Sequence, residues 1–178
     1  MTAFQKFRDG DIGPVLILTV ICFVITLALA GVYQMTASQI AVQEVEAANL
    51  ARQKVLPQGD SFTMVEGIEY PDGVFEIHKA DNGAGMVFRS GAKGFDGIVT
   101  YMIGMDKNGE IVGINMFEHG ETPGLGTKIG TPSYLELYYG SVDETAIDGI
   151  SGATKTTNSL KNAITQAKRA FELAKEVL

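Results

Sequence analysis

The chain has 178 residues, enough for one ordinary domain or for a small domain and a membrane segment. Its formal net charge of −7 disfavours a nucleic-acid partner, since such binding depends on lysine and arginine neutralising phosphates. With 1 cysteine and 2 histidines, the chain alone provides neither a disulfide framework nor an iron–sulfur or zinc-thiolate site, and we expect no metal site. Any redox chemistry must therefore come from an organic cofactor.

The first feature along the chain is an uncharged, nearly all-apolar run from Gly13 to Tyr33. It is long enough to cross about 30 Å of hydrocarbon at roughly 1.5 Å per residue. We expect a transmembrane helix over residues 13–35. The alternative is a cleaved signal peptide with its cleavage site at Ala28-Leu29-Ala30. The length of the run, which continues past these alanines, favours the retained helix.

The charges on either side of this run predict its orientation. Lys6 and Arg8 lie just before it, and the first charge after it is Glu44. Because basic flanks stay in the cytoplasm, residues 1–12 are the predicted cytoplasmic N-terminus, and the rest of the chain is exported.

The segment after the anchor is predicted to be a stalk. Residues 36–55 are rich in Ala, Gln and Glu and lack Gly and Pro, which favours a helix that ends at Leu56-Pro57. The stalk and its linker then occupy residues 36–60, and residues 61–178 form the exported domain.

The exported domain is predicted to be α+β, with a curved antiparallel sheet packed on helices. Clusters of Gly, Asp and Asn separate five strand-like stretches. The clearest hairpin turns at Asn108-Gly109, whereas Tyr134 to Tyr139 is a short helix or irregular. The predicted strands are Phe62 to Val65, Val74 to His78, Met86 to Arg89, Gly97 to Met105 and Ile111 to Phe117.

A long amphipathic helix ends the chain. Its apolar residues recur at three- and four-residue spacing, and Thr156, Thr157 and Asn158 are all suitable N-caps. The apolar face comprises Leu160, Ala163, Ile164, Ala167, Phe171, Ala174 and Leu178.

Small residues and hydroxyls run directly into the start of this helix, in the sequence Asp148-Gly149-Ile150-Ser151-Gly152-Ala153-Thr154-Lys155-Thr156. A helix N-terminus presents unpaired N–H groups and partial positive charge, which together suit a phosphate. Gly152 allows close approach of a ligand, and Ser151, Thr154 and Thr156 offer hydroxyl donors. Physical reasoning leaves open that the segment is only a turn and an N-cap.

The run DGISGAT-x-T resembles the flavinylation motif of the FMN-binding domain shared by two proteins. These are the G subunit of the Rnf electron-transport complex and the C subunit of the sodium-pumping NADH:quinone reductase. In that family the threonine at the position of Thr154 is esterified to the FMN phosphate by a dedicated flavin transferase. A second run, from His119 to Lys128, resembles the family's E-T-P-G-L-G segment, which lines the flavin. The resemblance extends from about Gly94 to the C-terminus.

The second run also suits a flat ring by its residue types. Gly124 and Gly126 make a bare turn after Pro123, and Leu125 is expected to cover a ring face. Gly124 is the position where we expect a branched side chain to be most harmful. Lys128 is a partner for the phosphate or for reduced flavin. Taken alone, this segment could be a Pro-Gly surface loop.

The resemblance implies one cofactor site built from both runs. Glu121 bonds a ribityl hydroxyl or braces the loop, and Thr122 bonds the ring's polar edge. His119 is a candidate contact, whereas His78 is interpreted as structural. The implied site residues are His119, Glu121, Thr122, Gly124, Leu125, Gly126 and Lys128, with Ser151, Gly152, Ala153, Thr154 and Thr156.

The function implied is electron transfer within a membrane ion-translocating ferredoxin:NAD⁺ oxidoreductase of the Rnf type, through FMN bound covalently to Thr154. We expect a single-pass protein of the cell membrane whose FMN domain is extracytoplasmic, with no independent catalytic activity. Its partners are the other Rnf subunits and, during maturation, a flavin transferase. The alternatives are a component like the C subunit of the quinone reductase, a stand-alone extracellular FMN carrier, and a non-redox tethered binding domain. The compact length favours the Rnf subunit.

Overall fold

The computed structural model describes residues 13–177. The predicted cytoplasmic segment 1–12, with Lys6 and Arg8, and the terminal Leu178 lie outside the described residues. The chain divides into two compact units, Met1–Ala47 and Ala48–Leu178.

Helix α1 spans Gly13–Val55 and ends just before Leu56-Pro57, as the sequence predicts. Within the described residues, its Pro14–Tyr33 segment is the one stretch long and apolar enough to cross a membrane. The hydroxyl groups of Thr19 and Thr26 donate to backbone carbonyls four residues earlier, at 2.9 and 2.8 Å. Satisfying these groups within the helix suits an apolar surrounding, where no water is available to bond them.

The second unit contains a five-stranded antiparallel sheet with strand order β1-β2-β3-β4-β5, so each strand pairs with the next in sequence. This confirms the predicted α+β fold and all five predicted strands. The boundaries differ by a few residues, most at β3, which extends beyond its predicted Met86 to Arg89. The strands are β1 Phe62–Met64, β2 Val74–Ala80, β3 Gly85–Lys93, β4 Ile98–Asp106 and β5 Ile111–Glu118.

Short helical segments follow the sheet and lead to the long final helix. They are a 3₁₀ turn at Gly126–Gly130, helix α2 at Pro132–Leu135, and 3₁₀ turns at Glu136–Tyr138 and Glu144–Ala146. The undecided stretch from Tyr134 to Tyr139 is therefore mostly helical. Helix α3 spans Thr154–Ala174, and a 3₁₀ turn at Lys175–Val177 follows it.

The start of α3 corrects one prediction. The helix begins at Thr154 with Ala153 as its N-cap, so Thr156, Thr157 and Asn158 lie inside it and the predicted caps are wrong. The helix starts earlier because the chain turns tightly before it, where the Ala153 N–H donates to the Ile150 carbonyl at 2.9 Å.

One face of the sheet carries the main core against α3. Phe88, Tyr101 and Ile103 from the sheet are fully buried there, together with Leu160 and Ile164 from the predicted apolar face of the helix. This packing holds α3 in a fixed position relative to β3 and β4.

The opposite face packs against the end of α1. Gly104 and Gly113 are paired across β4 and β5. A Cβ atom at either would lie 2.1 or 2.4 Å from the Val55 carbonyl oxygen. Only glycine permits this close approach of the helix end to the sheet. Val55 and Leu56 are buried here in a second, smaller core.

His78 lies at the edge of this second core, and its contacts are consistent with the structural role interpreted from the sequence. Its Nε2 lies 2.9 Å from Nη2 of Arg52. Burial and the Arg52 charge lower the pKa of His78 from 6.5 to about 4, against the opposing effect of Glu76. The imidazole is therefore neutral near pH 7 and accepts the guanidinium hydrogen bond.

Candidate cofactor site

A cleft of about 280 Å³ lies where three segments meet: the N-terminus of α3, the loop after β5 and the turn between β3 and β4. Its lining combines both sequence motifs with one residue outside them, Phe95. The lining residues are Phe95, Glu121, Thr122, Leu125, Gly126, Gly152, Ala153, Thr154, Lys155 and Thr156.

The start of α3 forms one wall of this cleft. In the part of the chain that the structure describes, the backbone N–H groups of Thr154, Lys155 and Thr156 have no protein acceptor, and Ala153 supplies no side-chain cap. Free N–H groups at a helix N-terminus, together with the helix dipole, bind anions. Thr154 is the first helical residue and is exposed, so its hydroxyl is accessible from the cleft.

The loop after β5 forms the facing wall. Its turn is closed by the Leu125 N–H, which donates to the Thr122 carbonyl at 3.2 Å, and by the Gly124 N–H, which donates to Oγ1 of Thr127 at 2.9 Å. The turn needs glycine at position 124, where φ is +75°. Leu125 remains 41% exposed and presents an apolar side chain to the cleft.

The two motifs meet at Gly152. Its φ is +82°, and a Cβ atom added there would lie 3.1 Å from Cδ1 of Leu125. Glycine therefore serves both the backbone turn before α3 and the close approach of the Leu125 side chain.

Glu121 joins the three segments at the base of the cleft, where it is only 5% exposed. Its Oε1 accepts the backbone N–H of Phe95 at 2.8 Å, and its Oε2 accepts the hydroxyl of Thr156 at 2.5 Å. The sequence left two roles open for Glu121, a bond to a ribityl hydroxyl or a brace for the loop. The two hydrogen bonds seen here are those of a brace.

Phe95 and Lys155 are the cleft residues that sequence reasoning missed. Phe95 is 65% exposed, and Nζ of Lys155 lies 5.6 Å from the centre of its ring, within the range of a cation–π contact. Lys155 occupies the unspecified position of the DGISGAT-x-T run, and Phe95 lies in a Gly-rich turn. Neither residue was assigned a role from the sequence.

Four predicted site residues do not line the cleft. Ser151 and Gly124 are exposed in the turns next to it. Lys128 is exposed in the 3₁₀ turn after the loop. His119 lines a separate surface depression beside Arg89. The structure thus brings together the other eight predicted residues and leaves these four outside.

Comparison with known proteins bears directly on this cleft. Residues 94–169 match the FMN-binding domain family, and this stretch contains every residue that lines the cleft. A crystal structure of the C subunit of Na⁺-translocating NADH-quinone reductase from Parabacteroides distasonis shares the fold, with a TM-score of 0.50 and 18% identity over 75% of this chain and 93% of that one.

Curated relatives extend the similarity along most of the chain. The G subunit of the Na⁺-translocating ferredoxin:NAD⁺ oxidoreductase complex from Acetobacterium woodii is 31% identical over 165 residues, which cover 84% of this chain and 79% of the relative. The G subunit of the proton-translocating ferredoxin:NAD⁺ oxidoreductase complex from Clostridium ljungdahlii is 22% identical over 84% of this chain and 85% of the relative. This chain therefore belongs to the FMN-binding-domain family of G subunits from Rnf-type ion-translocating oxidoreductase complexes.

Proposed function

We propose that this protein is an electron-transfer subunit of an Rnf-type ferredoxin:NAD⁺ oxidoreductase complex and carries FMN covalently, through a phosphodiester to Thr154. The observation that carries the proposal is the position of Thr154. Its exposed hydroxyl lies at the first residue of α3, beside three N–H groups that have no acceptor among residues 13–177. Membership of the G-subunit family supports the electron-transfer role.

The polar end of the cleft fits the phosphate of FMN. The N–H groups of residues 154–156 and the dipole of α3 favour an anion there. Lys155 adds a full positive charge on the same wall. Within the lining of the cleft, Lys155 takes the role that the sequence assigned to Lys128.

The apolar end fits a flat aromatic ring. Leu125 and Phe95 present exposed apolar side chains to the cleft, and Thr122 adds a hydroxyl at its edge. Gly126 also lines the cleft and adds no side chain to it. The cleft thus combines an anion site and an apolar slot, the two chemical parts of a flavin mononucleotide.

Attachment requires a hydroxyl that an enzyme can reach. Esterification joins Oγ1 of Thr154 to the phosphorus of FMN, with loss of the hydroxyl proton and of the donor's leaving group. Within the described residues, the cleft's one carboxylate, Glu121, bonds Phe95 and Thr156 and not Thr154. We assign the attachment step to a separate flavin transferase.

FMN, once bound, supplies the chemistry by accepting and donating one or two electrons. The polypeptide then excludes water from the ring, fixes its orientation and tunes its potential. No independent catalytic activity is needed for this role, and the other subunits of the complex serve as electron donor and acceptor.

The last part of the proposal is the position of each segment of the chain relative to the membrane. We assign residues 1–12 to the cytoplasm, residues 13–35 to the membrane span, residues 36–60 to a stalk and linker, and residues 61–178 to an FMN domain on the extracytoplasmic side. The apolar Pro14–Tyr33 segment supports the anchor. Covalent attachment suits this location, because a flavin lost outside the cytoplasm is not recovered.

The test is flavin fluorescence on a denaturing gel after membrane expression with a flavin transferase. The parent protein should fluoresce, and Thr154→Ala should not. Thr145→Ala is the matched control, since Thr145 is also exposed but lies away from the cleft. Full fluorescence of the Thr154→Ala band would rule out this attachment site.

A further inference from the structure

Glu121 is a buried carboxylate in the wall of the proposed FMN cleft. Both of its oxygens accept hydrogen bonds, one from the Phe95 N–H and one from the Thr156 hydroxyl. A carboxylate has only acceptors, and each oxygen here receives one donor. Thr156 lies in the first turn of α3, at the positive end of the helix dipole.

The neighbouring backbone is shaped around this side chain. A Cβ atom at Gly94 would lie 2.3 Å from Oε1 of Glu121, and one at Gly126 would lie 2.5 Å from Oε2. The absence of a side chain at both glycines therefore leaves the room that the carboxylate occupies. In contrast, the side chain of Glu118 is 59% exposed and pairs with Arg89 on the surface.

A buried polar chain holds the partner of Glu121 in place. The hydroxyl of Ser159 donates to the Thr156 carbonyl at 2.8 Å and lies 2.8 Å from the hydroxyl of Tyr101. Burial raises the pKa of Tyr101, so its phenol stays protonated. Thr156 is therefore fixed, and so is the hydrogen bond it donates to Glu121.

We propose that Glu121 is a positioning residue that also sets the redox potential of the bound flavin. It joins the β3–β4 turn, the loop after β5 and α3 into one cleft. Its fixed negative charge opposes the negative charge that FMN gains on reduction, and so keeps the potential low. The inference rests on the proposed function, because it requires FMN in this cleft.

The experiment is a spectroelectrochemical titration of the full-length protein in detergent, produced with a flavin transferase. Glu121→Gln keeps the size of the side chain and removes its charge, so the midpoint potential should rise. Glu118→Gln is the matched control, because it removes the same charge from an exposed position outside the cleft, and its shift should be smaller.

Thr156→Val separates the charge from the brace. It removes the hydroxyl that donates a hydrogen bond to Oε2 of Glu121. The negative charge of the carboxylate remains and is less well compensated, so the midpoint potential of the flavin should fall. If bracing alone mattered, Glu121→Gln and Thr156→Val would shift the potential in the same direction, and the inference would be wrong. Thr156→Val alone still tests it if Glu121→Gln does not fold, since a rise in potential contradicts a role for the charge.

Covalent loading is measured separately, by fluorescence on a denaturing gel. A parent protein that carries no FMN contradicts the proposed function and, with it, this inference. A loaded Glu121→Gln variant with the potential of the parent contradicts the inference alone. A folded Glu121→Gln variant without FMN also overturns it, because Glu121 would then serve attachment rather than potential.

Discussion

Substitution of Gly126 by alanine is the strongest steric test of the cleft. The added Cβ would lie 2.5 Å from Oε2 of Glu121 and 2.8 Å from its Cβ. The second contact is close to the backbone, so the flexible end of the side chain cannot relieve it. At Gly124 a Cβ atom would meet nothing within 4 Å, and only the positive φ of +75° opposes alanine. The structure thus places the greater steric cost at Gly126, two residues after the position expected from the sequence.

The two costs differ in origin and size. Overpacking of a well-filled site costs about 1–3 kcal/mol. The left-handed backbone at Gly124 costs alanine about 1 kcal/mol. In a domain of this size, each lost kcal/mol lowers the melting temperature by roughly 3–6 °C. Gly126→Ala should therefore lower it by about 3–18 °C, and Gly124→Ala by about 3–6 °C.

Thermal unfolding followed by circular dichroism measures this difference. Both substitutions are made in the Thr154→Ala background, so that covalent FMN does not contribute to stability. In proteins with Thr154 intact, Gly126→Ala should also reduce flavin attachment, because Gly126 itself lines the cleft and the added methyl group narrows it. Equal melting temperatures for Gly126→Ala and the background protein would show that the packing around Glu121 is not as described.

The remaining predictions concern charge, pH and topology. Leu125→Ala should raise the flavin potential by hydrating the charged reduced form, and Lys155→Gln should lower it by the equivalent of about 1 kcal/mol. Lys128→Gln, outside the cleft, should change the flavin potential less. Equal shifts for the two variants in a redox titration would count against assigning the phosphate-side charge to Lys155. Because the pKa of His78 is lowered to about 4, the unfolded chain binds more protons between pH 6.5 and pH 4. Thermal stability should therefore be full above pH 6.5 and fall toward pH 4, and His78→Gln should flatten this decline; an unchanged profile in that variant would refute the assignment. A reporter active only in the cytoplasm, fused to the C-terminus, should be silent, and strong activity would overturn the topology.

The sequence predicted the fold well because the strands alternate with turn residues and α3 has one apolar face. It underestimated β3, which runs on through Ser90-Gly91-Ala92-Lys93 and pairs with Ile98 to Tyr101. Small residues there carry no strand pattern of their own. Their pairing depends on β4 and on the close approach of other side chains, since a Cβ atom at Gly91 would lie 2.8 Å from Phe75.

The two motifs predicted most of the candidate site, because each holds its residues close together along the chain. Phe95 could not be found in this way, since it reaches the cleft through the β3–β4 turn and the Glu121 hydrogen bond. The placement of Lys128 depends on the 3₁₀ turn at Gly126–Gly130, which leaves its side chain outside the cleft. The start of α3 was misplaced because three good capping residues follow Thr154, while the backbone turn at Gly152 starts the helix earlier.

Covalent attachment of FMN to Thr154 is tested by the intact mass of the membrane-expressed protein, produced with a flavin transferase. The proposed function predicts a mass increase equal to one FMN less one water, located by peptide mapping in the segment that contains Thr154. The Thr154→Ala variant should have its unmodified mass. An unmodified parent protein, or FMN attached to any other residue, would contradict the account.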